Sequence, residues 1–152
     1  MDCGDDRMSG PALVDGLRAW ATGSHCAEAA VDLLVEHASW LSRSEFRRRA
    51  IWTDPTEEDR DGATPCVVGI EWDAAACVLE SVPASASERR VLALVIGLAD
   101  GDAHPVDLGD ALCGLDQTNT ALILRAVAHA AGLLERNVQI LVDGAVVQVA
   151  SM

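Results

Sequence analysis

Four arginines, Arg43, Arg47, Arg48 and Arg49, crowd one short stretch directly after a segment whose apolar residues recur with helical spacing. A guanidinium can grip phosphate and the acceptor edge of guanine. A basic helix set after a tight turn is also how a helix-turn-helix presents its groove-reading element. The competing reading is a solvated face, or arginines paired with the acids that follow. Asp54, Glu57, Glu58, Asp59 and Asp61 lie close enough to cancel the local field within about one Debye length, roughly 8–10 Å. The whole chain leans the same way: 24 acidic residues against 11 basic ones, every one an arginine, give a formal charge of -13. That balance argues against nucleic acid as the partner, because phosphate backbones require a contiguous basic surface.

A second candidate pair is Arg125 and His129, one helical turn apart on an otherwise apolar segment. They suit contact with an anion or a protein partner, although such a stripe more commonly lets a buried helix meet water. Cys113 with His129 is the one thiol–imidazole pair that topology could bring together, and nothing nearby in sequence lowers the pKa of that thiol. The other histidines, His25, His37 and His104, have no ligand-like spacing with one another or with a cysteine, so no metal is expected. The acidic run from Thr53 to Gly62 fails the calcium-loop test: with Glu57, Asp59 and Asp61 as the first three ligands, Val68 falls where the bidentate glutamate is needed. Gly97, Gly101 and Gly109 match neither nucleotide fingerprint. The expectation is therefore a protein that is not an enzyme, with no catalytic residue and no cofactor.

These side chains need elements to hold them. The clearest is a helix from Gln117 to Ala131, with Asp116 accepting from the free amides of the first turn and Gly132 able to turn left-handed at its end. It is expected to pack against Val91 to Ala99, a run with no polar face that Ser85-Ala86-Ser87-Glu88 starts as a capping box. Earlier helices are expected from Pro11 to Gly23, from Ser24 to Leu41, and from Arg43 to Trp52 after a second capping box at Ser42-Arg43-Ser44-Glu45. Short helices are expected at Trp72 to Leu79, capped by Asp73 or packed through Ala74, Ala75 and Val78, and at Leu108 to Cys113, capped by Asp107. Trp20, Trp40, Trp52 and Trp72 read as core anchors, each burying on the order of 200 Å².

Pro65 to Ile70 reads as a strand, and residues 137–150 read as a hairpin turned by Asp143-Gly144, which that strand could join as a third member. The fold class is thus α+β, predominantly α-helical: residues 1–10 disordered, then one compact helical domain over 11–152 with a C-terminal β-hairpin. An odd count of five dispersed cysteines, without Cys-x-x-Cys, suits reduced thiols in a cytoplasm. The acidic start is unlike a signal peptide, and no apolar run reaches the roughly 20 residues of a membrane span.

Ser87-Glu88-Arg89-Arg90, Leu92, Gly101, Val106-Asp107-Leu108, Gly114-Leu115-Asp116, Asn119 and His129-Ala130-Ala131-Gly132, with Trp40-Leu41, Phe46 and Trp72 before them, resemble a family of small, largely helical, uncharacterised proteins from GC-rich bacteria. No activity is assigned to that family, so the resemblance implies an organisation and no catalytic residue. It stops near Gly132 and leaves the hairpin outside. A two-stranded ribbon is marginal alone and needs a surface to rest on. The reading that follows is a non-catalytic interaction module, with a protein partner or a second copy of itself. A DNA-binding regulator using Arg43, Arg47, Arg48 and Arg49 is the alternative.

Overall fold

The computed structural model describes residues 10–54, 67–133, 139–142 and 145–148. The N-terminal segment 1–9, the acidic run from Pro55 with its calcium test, and the Asp143-Gly144 turn lie outside the described residues. Among the described residues, seven helices and four strands follow in order: α1 Pro11–Ala21, α2 His25–His37, α3 Ser44–Ala50, β1 Ile51–Asp54, β2 Val67–Ile70, α4 Trp72–Ser81, α5 Ala86–Ala99, α6 Leu108–Leu112, α7 Gln117–Ala130, β3 Gln139–Val142 and β4 Ala145–Gln148. The class is α+β and predominantly helical, as the periodicities imply.

Helix α2 is the element the others pack on. Its most extensive contacts are with α7 and α5. It buries Ala29, Ala30, Val31, Leu33 and Leu34, residues that run most of the way around its circumference. Helices α5 and α7 do touch, as expected, but each packs more extensively on α2, so the core is a three-helix arrangement and not a two-helix one. Helix α5 contributes Val91, Leu92, Leu94, Val95 and Ile96 to the same apolar cluster, and α7 adds Ile123 and Ala126.

Most helix boundaries are set by local chemistry. Ser24 caps α2, Asp107 caps α6 and Asp116 caps α7, each accepting from the backbone amide three residues on. Ser85 and Glu88 close both bonds of the capping box at α5. Helix α7 ends in a Schellman motif: Gly132 takes φ 69°, its amide donates to the His129 carbonyl and the Leu133 amide donates to that of Ala128.

Three helix boundaries differ from expectation: the end of α2 and both ends of α3. Helix α2 stops at His37 rather than running on to Leu41, because Ala38 adopts a left-handed φ of 60° and its amide closes on the Leu34 carbonyl. The capping box at Ser42 does not form. The Ser42 hydroxyl donates to the Ser39 carbonyl instead, Arg43 becomes an N-cap without a side-chain bond, and Glu45 turns toward Arg48 and Arg49. The helix then ends at Ala50, and Ile51-Trp52-Thr53 continue as a strand, which suits a β-branched and aromatic run once it has a partner. That partner is β2, antiparallel, with Ile51 opposite Ile70 and Trp52 opposite Gly69. Strand β2 therefore does not join the C-terminal hairpin. That hairpin is the two-stranded β3–β4 sheet, with Val142 opposite Ala145.

Trp40 is a core anchor, fully buried beside Phe46 with ring centroids 6.0 Å apart. The other three tryptophans are not fully buried; they form a chain along α1, β1 and α4. Trp20 meets Trp52 edge-on at 6.3 Å and Trp72 at a tilt at 6.3 Å. Gly69 makes room for this group, since a Cβ there would lie 2.4 Å from the Trp52 ring. Asp73 lies inside the first turn of α4 instead of capping it and faces His104 Nε2 at 2.8 Å.

The connection from α2 to α3 is fastened to the start of α5 by Glu88. One carboxylate oxygen accepts from Ser39 Oγ and from Arg43 at 2.8 Å, the other from the Ser85 amide at 2.8 Å. The Glu88 carbonyl accepts from Trp40 Nε1 at 2.8 Å, while the Arg43 guanidinium lies 4.7 Å from the Trp40 ring centroid.

Two predictions follow from this packing. Gly69→Ala is expected to push Trp52 away from Trp20, destabilising the protein by about 1–2 kcal/mol in urea titration and changing the tryptophan near-UV dichroism. The Ser39 hydroxyl, the Ser85 amide and hydroxyl, and Arg43 hold the Glu88 carboxyl down at about 2, against the opposing effect of burial. Because the folded pKa lies below the unfolded one, this stabilisation is present above the ordinary carboxylate range and is lost as pH falls toward 2. Glu88→Gln should therefore lower stability at pH 7 by on the order of 2 kcal/mol and flatten the acid limb of the stability curve.

Candidate functional site

Glu28, Asp32 and Glu36 recur every fourth residue of α2, so their carboxylates stack along one face of that helix. Left alone, three like charges at that spacing would oppose helix formation. The neighbouring helices answer them. Arg18 of α1 donates from Nε to Asp32 Oδ1 at 2.9 Å, and Arg125 of α7 pairs with Glu36. His129, one turn after Arg125, places Nε2 3.2 Å from Glu28 Oε2 and Nδ1 3.6 Å from Asp32 Oδ2. As numbering rises along α2 it falls along α7, so the two helices run antiparallel across this seam. A groove of about 330 Å³ follows it, bounded by Arg18, Asp32, Glu36, Arg125 and His129.

The stripe formed by Arg125 and His129 is thus turned onto α2. His129 is mostly buried there, with 19% of its side chain exposed, whereas Arg125 keeps 52%. His25, on the first turn of α2, completes the upper end of the seam: its Nδ1 is 3.6 Å from the same Glu28 Oε2, and its ring centroid is 6.1 Å from that of His129. The second Glu28 oxygen accepts from the Gly23 amide at 2.9 Å. That backbone bond is the main reason the Glu28 carboxyl titrates below its ordinary range, with His129 and His25 adding to the effect against partial desolvation.

No protein-family model, curated protein or solved structure matches this chain.

The arginine candidates occupy a different part of the molecule. Arg43 binds Glu88 and the Pro83 carbonyl, Arg47 reaches the Leu41 carbonyl at 3.4 Å, Arg48 pairs with Glu45, and Arg49 contacts Glu45 and Ser81 Oγ. Six residues, Ala38 to Arg43, separate α2 from α3, and α3 packs chiefly on α4 and β1. A helix-turn-helix joins its helices more tightly, through three or four residues. Cys113 closes α6, ahead of the start of α7, whereas His129 lies in the last turn of α7, about 18 Å along that helix from Gln117 at 1.5 Å per residue, and no contact among the described residues joins the two. Cys26, Cys77 and Cys113 are free and exposed.

His37, the last residue of α2, is the other titratable group in a confined setting. Its Nδ1 is buried without a hydrogen-bond partner, and desolvation holds its pKa below the ordinary value despite the pull of Glu88 and Asp116.

The periodicity and spacing of the sequence did not single out Arg18, His25, Glu28, Asp32 or Glu36. The four-residue recurrence of the α2 acids was present as a signal. What faces them is fixed only by the tertiary packing of α7.

The exposed and the anchored parts of the seam should respond differently to mutation. Arg125→Ala is expected to cost less than about 1 kcal/mol, because the pair it breaks is half-solvated. Glu28→Ala is expected to cost about 1–3 kcal/mol, because it strips the Gly23 amide and His129 of their acceptor together. Urea titration of both variants at pH 7 checks the ranking.

Proposed function

We propose that this protein is a non-catalytic interaction module that associates with a second copy of itself through the outer face of α7. The observation that carries the reading is the distribution of charge. In a chain of formal charge -13, α7 is the one helix of the seven without a carboxylate. Its outward residues include Leu124 and Val127, each 47% exposed, one turn apart and flanked by the exposed Ala121. Leu108 and Leu112 of α6 are exposed as well.

Two like-charged copies meet with least repulsion where neither carries an acid, and a two-fold axis lets the same apolar ridge serve both sides. Large exposed aliphatic side chains on one helix face are the usual mark of such a contact. The two-stranded β3–β4 ribbon, whose outer edges have no strand partner among the described residues, is a second surface to which a copy could add. Groove reading of DNA by Arg43, Arg47, Arg48 and Arg49 lacks comparable support, since those guanidiniums already have acceptors within the fold. No helix among the described residues is long and apolar enough to cross a membrane.

Sedimentation equilibrium at micromolar concentration should give a dimer. Leu124→Glu with Val127→Glu should give a monomer of unchanged far-UV dichroism. A monomeric parent protein under these conditions overturns the proposal, as does a dimer that survives both substitutions.

A further inference from the structure

The upper end of the α2–α7 seam has a composition that an ordinary ion pair does not require. Two imidazoles, His25 and His129, come from opposite ends of the sequence and aim at a single carboxylate oxygen, Glu28 Oε2. One donor atom from each of the three residues lies within 4.8 Å of the other two. Ligands about 2.0–2.1 Å from a tetrahedral ion sit ~3.3 Å from one another. The observed separations of 3.2 Å and 3.6 Å from the carboxylate oxygen to the two nitrogens bracket that spacing.

The surroundings are those a metal ligand set needs. A ligating histidine works best when its second nitrogen donates to a carboxylate, which fixes the tautomer and strengthens the donor. His129 comes close to that arrangement: with Nε2 toward Glu28, its Nδ1 lies 3.6 Å from Asp32 Oδ2, within ion-pair range and a small shift short of a hydrogen bond, and Asp32 is itself held by Arg18. Glu28 is oriented by the Gly23 amide on its other oxygen. His25 lies against the end of α7, where a Cβ on Gly132 would stand 3.8 Å from its ring, at ordinary contact distance. His25 remains 49% exposed, which keeps one side of the cluster open to water.

From this we infer that His25, Glu28 and His129 form a binding site for a divalent transition-metal ion of the zinc type, with water in the remaining position. Two imidazole nitrogens and one carboxylate suit Zn²⁺, Co²⁺ or Ni²⁺ and disfavour Ca²⁺ and Mg²⁺, which take oxygen ligands. The charge of the seam points the same way. Among the described residues, Arg18 and Arg125 answer Asp32 and Glu36, and Glu28 is the carboxylate that none of the described guanidiniums meets. A bound ion would cross-link the first turn of α2 to the last turn of α7.

The test is titration of the full-length protein with cobalt(II) or zinc(II) chloride. The expected result is saturation at one equivalent, a rise in melting temperature, and a cobalt spectrum without a thiolate charge-transfer band, which excludes the neighbouring Cys26 as ligand. His25→Ala should weaken binding tenfold or more while leaving the metal-free melting temperature nearly unchanged, since that ring is half exposed. His129→Ala should weaken binding similarly, and His104→Ala, remote from the cluster, should not. Asp32→Asn should weaken binding while preserving stoichiometry, as expected of a positioning residue. If His129→Ala loosens the fold, paramagnetic shifts of the His25 and His129 ring protons in the cobalt-loaded wild type identify the ligands without mutation. Absence of saturable binding overturns the inference. So does binding that His25→Ala leaves unchanged, or a cobalt-loaded protein in which neither ring is shifted.

Discussion

The carboxylate ladder on α2 is the constraint that the rest of the molecule answers. That helix is buried around most of its circumference, and the remaining strip carries Glu28, Asp32 and Glu36. Burial of the apolar residues supplies the driving force, yet it also brings three acids against neighbouring helices, where unpaired charge is costly. Only helices bearing bases at matching intervals can close over that strip. Arg18 on α1 and the Arg125–His129 pair on α7 meet this requirement, and they fix both the direction and the register of α7 against α2. Apolar packing alone is less discriminating, since a sliding helix keeps much of its buried area but not its ion pairs.

A similar logic holds at the other end of α2. The chain leaves that helix through a left-handed alanine and must be anchored before α3 can begin. Glu88 does this from the first turn of α5, collecting Ser39, Arg43 and Ser85 on its two oxygens while its carbonyl takes the indole N–H of Trp40. A carboxylate at a helix N-terminus is favoured by the local backbone field, so the same side chain caps α5 and holds a distant connection. Arginine is the suitable partner, because a planar guanidinium can stack on Trp40 and still donate to both Glu88 and the Pro83 carbonyl.

The legibility of the sequence follows the range of the interactions. Ser24, Ser85, Asp107, Asp116 and Gly132 act within four or five residues, and each boundary they set could be read directly. The box at Ser42 had the right residues and still did not form, because the Ser39 carbonyl offered its hydroxyl an equally local alternative. Ile51 and Trp52 continue the helical pattern of α3 in sequence, and their strand conformation depends on β2, whose distance along the chain hides the pairing. His25 and Glu28 were legible as residues and not as a site, since their partner His129 lies on another helix. Arg125 and His129 were picked out correctly as the polar stripe of α7, but whether that stripe faced water or another helix was not a property of α7 alone.

The absence of acids from α7 connects the two faces of that helix. A carboxylate on its inner side would repel the α2 ladder, so docking selects for neutral and basic residues there. The outer side is under no such pressure, and yet it too is acid-free, with Leu124 and Val127 where an acidic protein would ordinarily place charge to stay dispersed. The inner face is accounted for by intramolecular pairing, and the outer face is not. Leu124 and Val127 keep about half of their surface in water in the single chain, and the proposed contact between copies is what would cover it.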